Sequence, residues 1–240
     1  MKRVLSTLKE KWPEYILEIL VLIIGIYGAF ALNNWNENRL NRIEEEKILA
    51  NLQTEFKKSR ILLVRKLELS QGSFQSGIRI IELMGAPKEV ISNTNVDSLF
   101  FRMLPGTGNF LPAKNAIDNI LQSGKLNLIS NDSLVDLLYD WEASVLGYTA
   151  SEESGDVLVR EQLVPSFIPF ISMKQMDHYG NDLPWTGATK LETNYQGLFQ
   201  NLNFENHLDN YLYGLNGRIN SLKEMDELIT KILHLVEKNP

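Results

Sequence analysis

The chain contains no cysteine. Disulfides, thiolate metal sites and cysteine nucleophiles are therefore excluded. Histidine is nearly as scarce, with His178, His207 and His234 scattered and forming no HExxH or HxxxH pattern. A zinc site needs several converging ligands, so no metal is expected. Proline is missing from Glu14 through Ala86, which leaves nothing to break a helix over that stretch. Basic charge is outweighed, with 24 Lys and Arg against 30 Asp and Glu and a formal net charge of −6. Nucleic-acid binding needs a clustered basic face, so nucleic acid is not an expected partner.

Recognisable catalytic signatures are also wanting. Pro105 to Pro112 lacks the Gly-Lys-Ser/Thr that closes a phosphate loop, and Ser123-Gly124-Lys125 is followed by Leu126, where a magnesium-binding hydroxyl would be needed. No Gly-x-Ser-x-Gly elbow occurs. Asp177-His178 with Asp182 is the one local acid–histidine cluster, and it reads as surface polarity rather than catalysis. Glu44, Glu45 and Glu46 read as a solvated helix face. The expectation is no enzyme, no cofactor and no catalytic residue.

What the chain does have is one long apolar run. Tyr15 to Leu32 carries a single charge, Glu18, and a spanning helix needs roughly 17–25 apolar residues. Trp12, Tyr15, Tyr27 and Trp35 suit the two interfaces, and Pro13 suits the first helical turn. Lys2, Arg3, Lys9 and Lys11 precede the run. The positive-inside rule then places residues 1–14 in the cytoplasm, a transmembrane helix at 15–35, and residues 36–240 outside a bacterial inner membrane, in the periplasm. Ala29-Phe30-Ala31 also fits a signal-peptide cleavage site, an alternative with the same export direction. Within the run Glu18, Gly25 and Ala29 share a helix face, and Gly25-x-x-x-Ala29 is a small-x-x-x-small pair that lets two helices approach closely. Asn33, Asn34, Trp35 and Asn36 follow at once and suit an interface anchor.

The rest reads as helices. Leu49, Leu52, Phe56, Leu63, Leu67, Phe74, Ile78 and Ile81 recur at helical spacing, which predicts one long helix with candidate breaks at Gly72 or Gly77 and an end at Gly85-Ala86-Pro87. A brief helix opens at Asn95 and runs to Met103. Another spans Ala113 to Gln122, with Gly124 beyond its end. Asn131-Asp132 caps a longer one whose face is Leu134, Leu138, Trp141, Val145 and Tyr148, with a continuation toward Leu163. Asp97-Ser98-Leu99 and Asp132-Ser133-Leu134 repeat a tripeptide that some bacteria glycosylate, and helix capping accounts for both. Residues 165–204 are rich in proline, glycine and aromatics and read as irregular, with the aromatics capping the bundle end. A last helix from Glu205 to Glu237 carries a sustained apolar stripe. The fold class is all-α: one N-terminal transmembrane helix continuing into a long helix of an antiparallel bundle.

Two stretches carry a family resemblance. The first is Glu18-Ile19, Gly25-Ile26 and Asn33-Asn34-Trp35-Asn36-Glu37; the second is Ser123-Gly124-Lys125-Leu126-x-Leu128-Ile129-x-Asn131-x-x-Leu134. Together they resemble an uncharacterised bacterial family of unknown function with an N-terminal membrane helix ending in Asn-Asn-Trp-Asn-Glu. Leu17 departs from it, standing where glycine is expected. The resemblance implies the topology and no activity. The expected role is a single-pass interaction protein, either an accessory subunit or a self-associating component, with the lipid bilayer and a protein partner or a second copy as its contacts. The alternative is a ligand-sensing helical module that acts through a partner.

Overall fold

The computed structural model describes residues 2–104, 110–113, 115–180 and 184–238. Every regular element among them is helical. The first, α1, spans Lys2–Ile81 without a break; at 1.5 Å per residue it is about 120 Å long. Pro13 was expected to open this helix. It instead lies inside it, where its ring removes one backbone hydrogen bond. Neither Gly72 nor Gly77 breaks it. The chain leaves the helix through Gly85, whose φ of 71° only glycine adopts freely and whose N–H donates to Phe199 O at 2.8 Å.

Short elements follow: α2 (Lys88–Ser92), α3 (Val96–Met103) and α4 (Asn115–Ser123). Asn95 Oδ1 accepts from Ser98 N and caps α3. Gly124, at φ 68°, turns the chain into a 3₁₀ turn over Lys125–Leu128. Helix α5 (Asp132–Leu158) is capped by Asn131, whose Oδ1 accepts from Leu134 N. The capping groups are thus the asparagines that open these stretches, not the aspartates of the repeated tripeptide. Helix α5 runs on through a π turn at Val159–Leu163 into α6 (Val164–Phe167). The segment expected to be irregular also contains α7 (Met173–Asp177) and α8 (Tyr195–Leu198). The last helix, α9, spans Leu202–Lys238.

Three long helices make the body. Arg60 pairs with Asp226, and Ser73 meets Tyr211, so α9 runs antiparallel to α1. Phe56 packs edge-on to Trp141, and Lys66 meets Glu152, so α5 runs parallel to α1. Two apolar cores result. The first joins Leu52, Phe56 and Leu63 of α1 to Ile117 of α4, Leu138 and Trp141 of α5, and Leu222, Ile229 and Ile232 of α9. The second joins Ile80 to Phe100, Met103, Phe167, Phe199, Phe204 and Leu208, with Phe100 against Phe167 at 4.9 Å. Thus Phe167, Phe199 and Phe204 fill the bundle end, whereas Trp185 and Tyr179 are exposed.

The two carboxylates of the Glu44–Glu46 run nearest the bundle are not simply solvated. Glu44 accepts from Lys125 Nζ at 2.7 Å, and Glu45 Oε1 accepts from both Ser130 N at 2.6 Å and Ser130 Oγ at 2.7 Å. They tie the turn between α4 and α5 to α1. Glu55, also on α1, accepts from Ala116 N at 2.7 Å and satisfies the start of α4.

Candidate functional site

The first candidate is the exposed length of α1. Its window beginning at Tyr15 has a mean hydropathy of 2.3 with none of it buried, long and apolar enough to cross a membrane. Every described side chain from Trp12 to Ile43 is exposed. Burial begins only at Ile48, 16 residues past Leu32, or about 24 Å further along the axis, with Glu44 and Glu45 making the first contacts just before it. Gly25 and Gly28 have nothing within 4 Å of the position a Cβ would take. A helical glycine costs about 1 kcal/mol relative to alanine, and nothing in this chain's own packing requires these two.

The turn of the helix orients this stretch. At 3.6 residues per turn, Glu18, Leu22, Gly25, Ala29, Leu32, Asn36 and Ile43 stack on one face. Leu49, Leu52, Phe56 and Leu63, which face the first core, lie about 180° round the helix from them. The face expected to meet a neighbour is therefore turned away from the chain's own bundle. Asn33, Asn34, Trp35 and Asn36 are exposed between them, with Asn36 Oδ1 accepting from Arg39 at 3.4 Å.

The second candidate is a polar layer between the two cores. Lys66 of α1 reaches Glu152 Oε1 of α5 at 2.5 Å, with both residues buried. Tyr148, one turn before Glu152, donates to Glu152 Oε1 at 3.3 Å, and Phe110 N donates to Oε2 at 3.4 Å. A few ångströms along, Tyr211 OH of α9 donates to Met103 O at 3.0 Å and lies 3.1 Å from Ser73 Oγ. Arg218 folds back over α5, and a Cβ on Gly155 would stand 2.5 Å from its guanidinium. Glycine at 155 is what admits that side chain. Lys66, Tyr148, Glu152, Gly155, Tyr211 and Arg218 line a cavity of about 130 Å³. Burial pushes the Tyr148 hydroxyl well up, aided by the charge of Glu152 and the hydrogen bond to it, while Arg218 opposes. Tyr211 is pushed up by burial as well, against the pull of the Ser73 hydrogen bond and of Arg218.

A third polar cluster is a structural tie. The buried carboxylate of Asp97 accepts from Tyr195 OH at 2.8 and 2.9 Å and from Gln175 Nε2 at 2.6 Å. Burial, then the Asp97 hydrogen bond, pushes the Tyr195 hydroxyl up. This cluster fixes α3 to α7 and α8. By contrast, Asp177 and His178 sit at the exposed end of α7, with the histidine ring against Tyr179. Asp182 and residues 105–109 lie outside the described residues. Among the described residues no group of three or more His, Asp or Glu could hold a metal ion.

The sequence pointed to Glu18, Gly25 and Ala29 but not to the polar layer. Its signal was there as polar residues in apolar stripe positions. Lys66, Ser70 and Ser73 continue the core face of Leu52, Phe56 and Leu63, and Glu152 continues the face of Trp141 and Tyr148. Compared with known proteins, the chain matches no family, no curated protein and no solved structure.

Proposed function

We propose that this chain is a single-pass membrane protein whose role is interaction, and that a second copy packs against the Glu18–Gly25–Ala29 face of its membrane helix. The observation that carries the reading is the opposition of faces along α1. A neighbour on the Gly25 side meets no part of the chain's own bundle, and two copies can pair with their bundles pointing apart. Gly25, a helical glycine on that face with no packing role inside the chain, supports it, since small residues let membrane helices approach closely. In this reading the short basic N-terminus is cytoplasmic and the helical body lies in the periplasm of a bacterium, where it scaffolds rather than catalyses.

The lack of native cysteine makes a direct test available. Single Ala29→Cys and Tyr27→Cys variants are oxidised in intact membranes. Ala29→Cys is expected to give a disulfide-linked dimer, and Tyr27→Cys, on the opposite side, to give none. Equal or absent crosslinking at both, with a monomeric mass in mild detergent, would overturn self-association. Protease accessibility in spheroplasts tests the orientation. The polar cavity favours a second reading, a helical module that binds a small molecule and acts through a partner.

A further inference from the structure

The cavity between the two cores has a composition that restricts what it can hold. Its volume, about 130 Å³, is slightly below the roughly 150 Å³ of an engineered cavity that holds benzene. An occupant of about five to seven heavy atoms follows from that comparison. Four charged side chains border it: Lys66, Arg218, Glu152 and Asp156. Their formal charges cancel. An ion of either sign would leave a net charge in a partly dry space, which is costly; an occupant bearing both signs would not.

The hydrogen bonds divide these groups into spent and unspent. Glu152 already accepts from Lys66, Tyr148 and Phe110 N. Tyr148 and Tyr211 have each committed their one proton, to Glu152 and to Met103 O, so their oxygens remain only as acceptors. Among the described residues Arg218 forms no ion pair within 4.0 Å, and neither does Asp156. Asp156 is exposed at the mouth, directly after the glycine that admits Arg218. Arg218 and Asp156 line the same cavity as Tyr148 and Tyr211, so guanidinium, carboxylate and tyrosine oxygens front one space. The site thus offers a forked donor suited to a carboxylate beside a set of acceptors suited to an ammonium. Val159 also lines the cavity and begins the π turn, an irregularity that recurs at functional sites.

We infer that this cavity binds a small zwitterion of the amino-acid class, its carboxylate on Arg218 and its ammonium on Asp156 and the tyrosine oxygens. The volume limits the side chain to that of glycine, alanine or serine. The inference does not depend on self-association.

The test is calorimetric titration of the full-length protein in nanodiscs with glycine, L-alanine and L-serine. Propionate, which lacks the ammonium, ethylamine, which lacks the carboxylate, and L-tryptophan, which is too large, serve as comparisons. At least one of the three small amino acids is expected to bind saturably, and each comparison compound to bind about tenfold more weakly or worse, as expected for losing one charge-assisted contact. Arg218→Gln and Asp156→Asn, both at the mouth, are each expected to weaken binding by about tenfold or more while helix content and melting temperature hold. No saturable binding by any of the three at millimolar concentration would overturn the inference. So would propionate binding as well as L-alanine, or Arg218→Gln binding as well as the unaltered protein.

Discussion

Lys66 on α1 and Glu152 on α5 meet at 2.5 Å in the polar layer that separates the two apolar cores. An ion pair held away from water contributes little net stability, because desolvation offsets the attraction, but losing one partner strands the other. Lys66→Met is therefore expected to destabilise the protein by about 3–5 kcal/mol, and Lys66→Met with Glu152→Met to recover most of that loss. Denaturant unfolding of the full chain in detergent, arranged as a double-mutant cycle, checks it. A double variant no more stable than Lys66→Met would show that Tyr148 and Phe110 N, not Lys66, are what Glu152 serves.

Trp141 is fully buried in the first core, edge-on to Phe56 at 5.4 Å. Trp141→Ala removes the largest side chain of that core and leaves a cavity, at an expected cost of about 3–5 kcal/mol. Leu146, exposed one and a half turns further along the same helix, provides the contrast. Leu146→Ala should stay within about 0.5 kcal/mol. The two measured side by side test whether α5 presents the face described.

Three tyrosines predict alkaline behaviour. Burial raises the hydroxyls of Tyr148, Tyr195 and Tyr211 above their ordinary value of 10.0. The unfolded chain releases these protons near pH 10 while the folded chain retains them. Stability should therefore be level below that pH and fall as pH rises through it. Tyrosinate absorbance followed with helix content checks this: part of the tyrosine signal should appear only as the helices melt.

At the acid end two carboxyls are held low, Glu237 by the hydrogen bonds from Lys57 and Gln53 and Glu44 by Lys125; Glu44 provides the test. The hydrogen bond from Lys125, then its charge, holds this carboxyl below the ordinary 4.5. A depressed carboxyl contributes stability above the unfolded value and loses it as pH falls through the folded one. The expected loss begins below about pH 4.5. Lys125→Gln should flatten that part of the profile, and added salt should flatten it in the unaltered protein but not in the variant.

The long helices were legible because apolar residues recur along each at helical spacing, and the starts of α3 and α5 because Asn95 and Asn131 present side-chain oxygens to the first turn. Where α1 begins was not legible, since proline is read as a boundary and Pro13 sits well inside the helix. Between Pro165 and Phe204 there is no period to read, so buried Phe167 and Phe199 could not be told from exposed Trp185. Lys66, Glu152 and Arg218 come from three helices far apart in the chain. A polar residue in a stripe position does not name its partner, and only the folded register brings the three to one space. Glu44 and Glu45 were misread for the same reason, because their partners Lys125 and Ser130 lie in a turn reached only after four helices.

The unbroken run of α1 has a mechanical consequence. With Tyr15–Leu32 in a bilayer, the helix extends 49 residues beyond it to Ile81, a lever arm of about 74 Å. Swinging such an arm through about 20°, an ordinary tilt for a membrane helix, carries its tip roughly 25 Å sideways. No hinge in α1 absorbs that displacement. Bilayer thickness, or a neighbour that changes the tilt, would thereby set where the second core stands over the membrane surface.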